Sequence, residues 1–147
     1  MAVWPTTEVS RAIEDAVSKA KSMASGDPST ASAIRWLKRE TWHLTVVFVG
    51  SVDAVGLEDV RGAASRAACT SSAFDVEFKG AGAFPGLRRP KVLWVGLGAG
   101  GEAWNQLVSR TRDAVSRVVP LRREKDHIAH LTVARLSRPV DVGGIVD

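Results

Sequence analysis

The chain has a single cysteine, Cys69, among 147 residues. An intrachain disulfide is therefore excluded, as is a Cys-rich zinc module, and a reducing, intracellular setting fits. Cys69 lies in the Ala-rich stretch AASRAAC, where a small buried hydrophobe is expected rather than a nucleophile. Long hydrophobic runs are missing too: none approaches the roughly eighteen residues of a membrane span, and the opening MAVWPTTEVSR has no basic segment leading into an apolar one. The expected location is the cytoplasm, with no membrane partner. With 45% hydrophobic and 24% charged residues, the composition excludes disordered and collagen-like classes. This length buries a core without a staple, so residues 1–147 are expected to form one domain of two lobes.

Histidine is also scarce. There are three, and two of them occupy one repeated phrase: His43-Leu44-Thr45-Val46 inside TWHLTVVFVG, and His130-Leu131-Thr132-Val133 inside HIAHLTVARL. Both phrases alternate as strands do, so each imidazole shares a face with the threonine two residues on, while Leu and Val point the other way. Taken singly, a strand histidine is more often structural than catalytic, and a strand threonine is a common β-former. Two identical phrases holding most of the histidine are a different matter.

Two facing imidazoles can serve as general base and general acid in one reaction, because an unperturbed imidazole titrates near pH ~6.5. A phosphodiester suits this pair best. In-line attack at phosphorus needs a base on the entering oxygen, an acid on the leaving one, and donors for the non-bridging oxygens, which Thr45 and Thr132 can supply. The arrangement requires no metal, and no cofactor is expected. The third histidine, His127, stands three residues before His130 and so on the opposite strand face; it reads as a loop residue after Asp126 rather than as a metal ligand.

The formal charge is +4, the sequence pI is near 9.7, and the basic residues are clustered. Arg35, Lys38 and Arg39 precede the first phrase. Arg88, Arg89 and Lys91 precede Trp94, Arg122, Arg123 and Lys125 precede the second phrase, and Arg135 and Arg138 follow it. Such clusters can steer a polyanion toward the histidines, or can be solvated loop charges. Trp42, Phe84 and Trp94 can stack on bases, although core packing is the simpler expectation for each.

Hydrophobic periodicity predicts a helix capped by Thr6 or Thr7 and ending before Gly26. The stretch SGDPSTAS reads as a loop. A short strand is expected over 34–37 and a longer one over 42–49, and a helix from the Asp53 cap to about Ala68 should bury Leu57, Val60, Ala64 and Ala67. An alternating strand over 74–79, a loop GAGAFPGLRRP, a strand over 92–97, a helix over 102–118 with Trp104, Leu107, Val108, Thr111 and Val115 inward, and a strand over 128–136 complete the pattern. Its short connections predict an α+β fold with mainly antiparallel sheets. The repeated phrase suggests an approximate duplication in which each half gives one catalytic strand.

In these residues the chain resembles the two-histidine phosphoesterase superfamily. Its particular likeness is to the bacterial and archaeal RNA 2′,3′-cyclic phosphodiesterase branch, historically called 2′-5′ RNA ligases. WHLTVVFVG resembles that branch's first motif, AFPGLRRPKVLWVGL its central segment, HLTVAR its second motif with the trailing arginine, and AVWPTTEV its first strand and turn. The resemblance spans nearly the whole chain. It implies a bilobal, pseudo-symmetric α+β fold with two mainly antiparallel sheets lining a central groove and helices outside. His43 and His130 would be the catalytic pair, Thr45 and Thr132 the phosphate-oxygen donors, and Arg135 a phosphate contact.

The implied reaction is metal-independent opening of a 2′,3′-cyclic phosphate at an RNA end to a 2′-phosphomonoester, with reversible 2′-5′ ligation of tRNA halves as a second activity. A monomer is expected. Two departures stand out: Ile128 and Ala129 replace the aromatic residue and proline usual before the second motif, and strict alternation puts Arg135 opposite His130 unless the strand bulges or ends. A non-catalytic RNA or nucleotide binder using the same basic surface is the alternative, and hydrolysis of a 2′-5′ linkage a third reading.

Overall fold

The computed structural model describes residues 1–122 and 128–146. His127, Arg123 and Lys125 of the sequence reading lie outside them. In chain order the elements are β1 (Ala2–Val3), α1 (Thr7–Ala24), α2 (Pro28–Ala33), β2 (Ile34–Trp36), a 3-10 turn (Arg39–Thr41), β3 (Leu44–Thr45), α3 (Ala54–Cys69), β4 (Phe78–Phe84), β5 (Val92–Leu97), α4 (Gly101–Ser116), β6 (His130–Leu136) and α5 (Gly143–Val146). The class is α+β with antiparallel pairing, as the short connections predict.

The strands are connected in one six-stranded sheet, where two were expected. One reason is that β6 is long enough to take two partners along a single edge. Ile34–Trp36 pair with its C-terminal residues and Leu44 pairs with Leu131, while β5 runs antiparallel along the other edge. The other reason is that the first phrase supplies only Leu44 and Thr45 as strand, not residues 42–49.

The chain divides into two compact units. The first comprises Met1–Val3, Thr45–Phe78 and Leu97–Ala129. Here the Met1 ammonium donates to the Val47 carbonyl at 2.6 Å, and the Met1 carbonyl accepts from the amides of Val46 and Val47. Helices α3 and α4 pack together through Val60, Ala63, Ala64 and Ala67 on one side and Trp104, Val108, Thr111 and Val115 on the other.

Asp53 caps α3 as expected, its Oδ1 accepting from the Gly56 amide at 2.8 Å. Two expectations for α3 fail. Leu57 is 45% exposed and Cys69 is exposed, because the apolar stripe runs through the four small residues and leaves both side chains off it. The expected strand over 74–79 is also absent before Phe78. Gly100, at φ 79°, explains the close approach of that segment: a Cβ there would stand 1.9 Å from the Asp75 carbonyl oxygen.

The second unit comprises Trp4–Leu44, Lys79–Gly96 and His130–Asp147. Its centre is β6, whose Leu131, Val133 and Ala134 are buried with Leu44 and Leu93. Helix α1 buries Ile13 and Val17 in the i, i+4 stripe read from the sequence, and Thr6 caps it by accepting from the Val9 amide. The stretch read as a loop contains α2 instead. Asp27 accepts from the Ser29 and Thr30 amides and the Thr30 hydroxyl, and Pro28 follows at the first helical position. This Asp-Pro-Ser-Thr composition is that of a helix start as much as of a turn.

Candidate active site

Both histidines fall in the second unit. His43 is exposed and lies between two anchors, Trp42 and Leu44, each 2% exposed. Alternation thus drives the neighbours into the core and turns the imidazole outward. The preceding 3-10 turn fixes the ring. Its last residue, Thr41, donates its hydroxyl to the Lys38 carbonyl, and the Thr41 carbonyl lies 2.8 Å from His43 Nδ1. A carbonyl oxygen only accepts, so Nδ1 carries the proton and the neutral ring presents the Nε2 lone pair.

His130 and Thr132 are half-buried and alternate along β6 with the buried Leu131 and Val133. Leu44 is the register partner of Leu131. Continuing that antiparallel register sets position 43 across from Thr132 and diagonal to His130, and diagonal neighbours on adjacent strands stand about 7–8 Å apart. A single phosphoryl group fits between two imidazoles so spaced. Thr45 follows Leu44 on the opposite face of β3, is half-buried, and opens a segment of the first unit.

Arg135 is positioned by an irregularity. Leu93 pairs with Ala134 and Trp94 with Thr132, which leaves Val133 as an extra residue on β6. Val133 and Ala134 are both buried, so the alternation resets and the exposed Arg135 returns to the face of His130 and Thr132. Of the two ways Arg135 could reach that face, a bulge or a strand end, the structure has the bulge.

Aromatic rings flank both imidazoles. The Trp4 ring, 60% exposed, has its centroid 5.7 Å from that of His43. Phe84 meets His130 edge-on at 5.0 Å, and Trp94 lies 6.4 Å from His130 and 5.2 Å from Phe84. Trp42, by contrast, is core. Glycine makes room for Trp94: a Cβ on Gly82 would lie 2.3 Å from the indole ring.

The sequence reading overlooked Trp4, Gly82 and the Thr41 carbonyl. Trp4 and Gly82 act through residues distant in the chain, and a carbonyl leaves no side-chain signature. Among the described residues no three His, Cys, Asp or Glu side chains are grouped for a metal, and no helix is long and apolar enough to cross a membrane.

Of the basic residues, Arg39 pairs with Glu14 at 3.2 Å, and Arg138 donates to the Ser29 carbonyl and to the hydroxyls of Ser29 and Ser32. The Asp27 carboxyl is held below the ordinary aspartate value, first by the Thr30 hydroxyl, then by the Thr30 and Ser29 amides, with a smaller pull from the Arg138 charge.

Fold and side chains define an α+β protein with two histidines, one exposed and one half-buried, at adjoining antiparallel strands. The family model for LigT-like phosphoesterases matches residues 8–94, and the chain belongs to that family. It is 33% identical over 110 residues to an RNA 2′,3′-cyclic phosphodiesterase of Archaeoglobus fulgidus, covering 75% of this chain and 60% of that protein. A namesake in Aquifex aeolicus is 25% identical over 104 residues, 69% of this chain and 55% of the relative.

The chain therefore spans little more than half the length of these curated relatives. Among solved structures, the protein TT0787 of Thermus thermophilus superposes with a TM-score of 0.78 at 24% identity, over 95% of this chain and 74% of that one. Escherichia coli LigT complexed with 3′-AMP gives 0.71 at 22% identity, over 94% and 76%. At these identities the likeness is one of fold.

Proposed function

We propose that the chain is a metal-independent phosphodiesterase that opens 2′,3′-cyclic phosphates at RNA ends, with residues 1–147 acting as one domain, as a monomer in the cytoplasm. The observation that carries this reading is the pairing of Leu44 with Leu131, which turns His43 and His130 outward on adjacent strands. One imidazole takes a proton from water as its oxygen bonds to phosphorus, and the other protonates O3′ as the P–O3′ bond breaks. The product carries a 2′-phosphomonoester and a free 3′-hydroxyl, and both imidazoles regain their protonation states by exchange with solvent.

The Thr132 hydroxyl and the Thr45 hydroxyl donate to the non-bridging oxygens, and the Arg135 guanidinium contacts substrate phosphate on the same strand face. The curated relatives carry this activity in their names, and the E. coli LigT structures with 3′-AMP and ATP support a nucleotide in such a fold. Ligation of tRNA halves through a 2′-5′ linkage would use the same pair, with the 5′-hydroxyl of the second half attacking phosphorus in the place of water and O3′ leaving as before. In the reverse direction that 3′-hydroxyl attacks and the 5′-oxygen leaves.

The deciding experiment is a substrate panel of nucleoside 2′,3′-cyclic phosphates, 3′,5′-cyclic nucleotides and 2′-5′ dinucleotides, assayed with EDTA. Turnover of the first group to 2′-monophosphates is expected. RNA affinity without turnover of any cyclic phosphate would favour the binding-protein alternative.

A further inference from the structure

At the C-terminal end of β6, the second unit contains an open cleft of about 670 Å³ lined by Arg89, Lys91 and Arg135 over a floor that includes Pro90 and Val92. No carboxylate lines it. Arg138 also borders the cleft, but its guanidinium is engaged by Ser29 and Ser32.

A second cationic contact adjoins the cleft. Arg35 on β2 is the register partner of Arg135 on β6, and both are exposed. Directly opposed side chains on antiparallel strands have Cβ atoms about 4.5–5.5 Å apart, and like charges so placed destabilise the sheet. The ion pairs of Arg39 with Glu14 and of Arg61 with Glu58 do not involve Arg35, Arg89, Lys91 or Arg135. A like-charge pair kept at a sheet surface beside two further cations is relieved when an anion lies across it.

The bulge at Val133 gives this charge its direction, because it returns Arg135 to the face of His130. Five residue steps along the strand separate them, about 15 Å. One stacked strand of nucleic acid advances about 3.4 Å per nucleotide, so this is a reach of roughly four nucleotides. We propose that Arg35, Arg89, Lys91 and Arg135 hold the phosphate backbone of the RNA strand a few nucleotides 5′ of the reacting end, which makes an oligonucleotide rather than a mononucleotide the preferred substrate. The proposal rests on the cyclic-phosphate reading for its reaction, but not for its binding.

The test compares kcat/KM for an RNA octamer ending in a 2′,3′-cyclic phosphate with that for the corresponding cyclic mononucleotide, in the native protein and in R35Q/K91Q, whose fold is checked by its melting curve. The octamer should be favoured at least tenfold by the native chain, and that ratio should fall toward one in the variant. Equal ratios in the two proteins would overturn the proposal. A separate arm measures binding of the same octamer with a 3′-hydroxyl end by fluorescence anisotropy at several salt concentrations. Each lost phosphate contact should reduce the slope of log K against log salt by about 0.7, hence by roughly 1.4 for the double variant. If neither protein turns over any cyclic phosphate, this arm alone decides: equal affinities and slopes overturn the cleft, whereas a reduced slope retains it and assigns the failure to the reaction.

Discussion

Leu44 and Leu131 face each other across β3 and β6 with 2% and 0% exposure, and this buried apolar pair sets the spacing of the two histidines beside them. Neither leucine carries chemistry. Their burial fixes the register, and in a half-buried sheet a one-residue slip of β3 would send its imidazole to the opposite face from His130.

It follows that the histidines can be removed without disturbing what holds them. His43→Ala and His130→Ala should each lower turnover of a nucleoside 2′,3′-cyclic phosphate by about 10²–10⁴-fold, the usual contribution of a positioned acid or base. The exposed His43 should leave the melting temperature almost unchanged. Full activity in either variant, measured by chromatography of the 2′-monophosphate, would exclude the two-histidine reaction.

The 2.8 Å contact from His43 Nδ1 to the Thr41 carbonyl sets a tautomer. Neutral His43 should be protonated on Nδ1, leaving Nε2 as the acceptor. Nitrogen-15 correlation spectra of the imidazoles should show this pattern, and a ring protonated on Nε2 would contradict it.

How much of this was legible beforehand follows from the range of each signal. Helices α1, α3 and α4 have local periodicity and caps, and they lie where the sequence placed them within a residue or two. The repeated phrase exposed both histidines because alternation is local. The limits of the first phrase were not legible, since Val46 and Val47 look like strand residues but give their amides to Met1. Nor could alternation alone locate Arg135, because the bulge that turns it is a property of pairing with β5. The short helix α2 was hidden by residues that suit turns and helix starts equally.

Asp27 makes α2 a source of acid sensitivity. Its carboxyl is depressed in the folded chain by the Thr30 and Ser29 donors. The stabilisation it provides is therefore present above the unfolded-state value near 3.8 and is lost as pH falls through the lower folded-state value. Thermal melts from neutral pH down to pH 2 should show Asp27→Ala less stable than the native chain at neutral pH. The two curves should converge at the acid end, and a constant gap would contradict the assignment.

Gly82 links packing to the site over a longer path. It lies on β4, and the Trp94 indole crosses it so closely that a Cβ would be 2.3 Å from the ring. Backbone cannot yield by that much, so in Gly82→Ala the indole must move. Overfilling of this kind costs about 1–3 kcal/mol, measurable as a lower urea midpoint. Trp94 also touches Phe84 at 5.2 Å, and both rings flank His130, so the displacement should reach the imidazole as well as the core. Gly82→Ala should therefore lose turnover beyond what its folded fraction explains. Adding Trp94→Phe, which removes the ring that collides, should restore part of both stability and turnover. If stability recovers in the double variant while turnover does not, Trp94 itself supports His130 and the lost contact is what limits the reaction. Recovery of both would identify displacement of the indole as the cause.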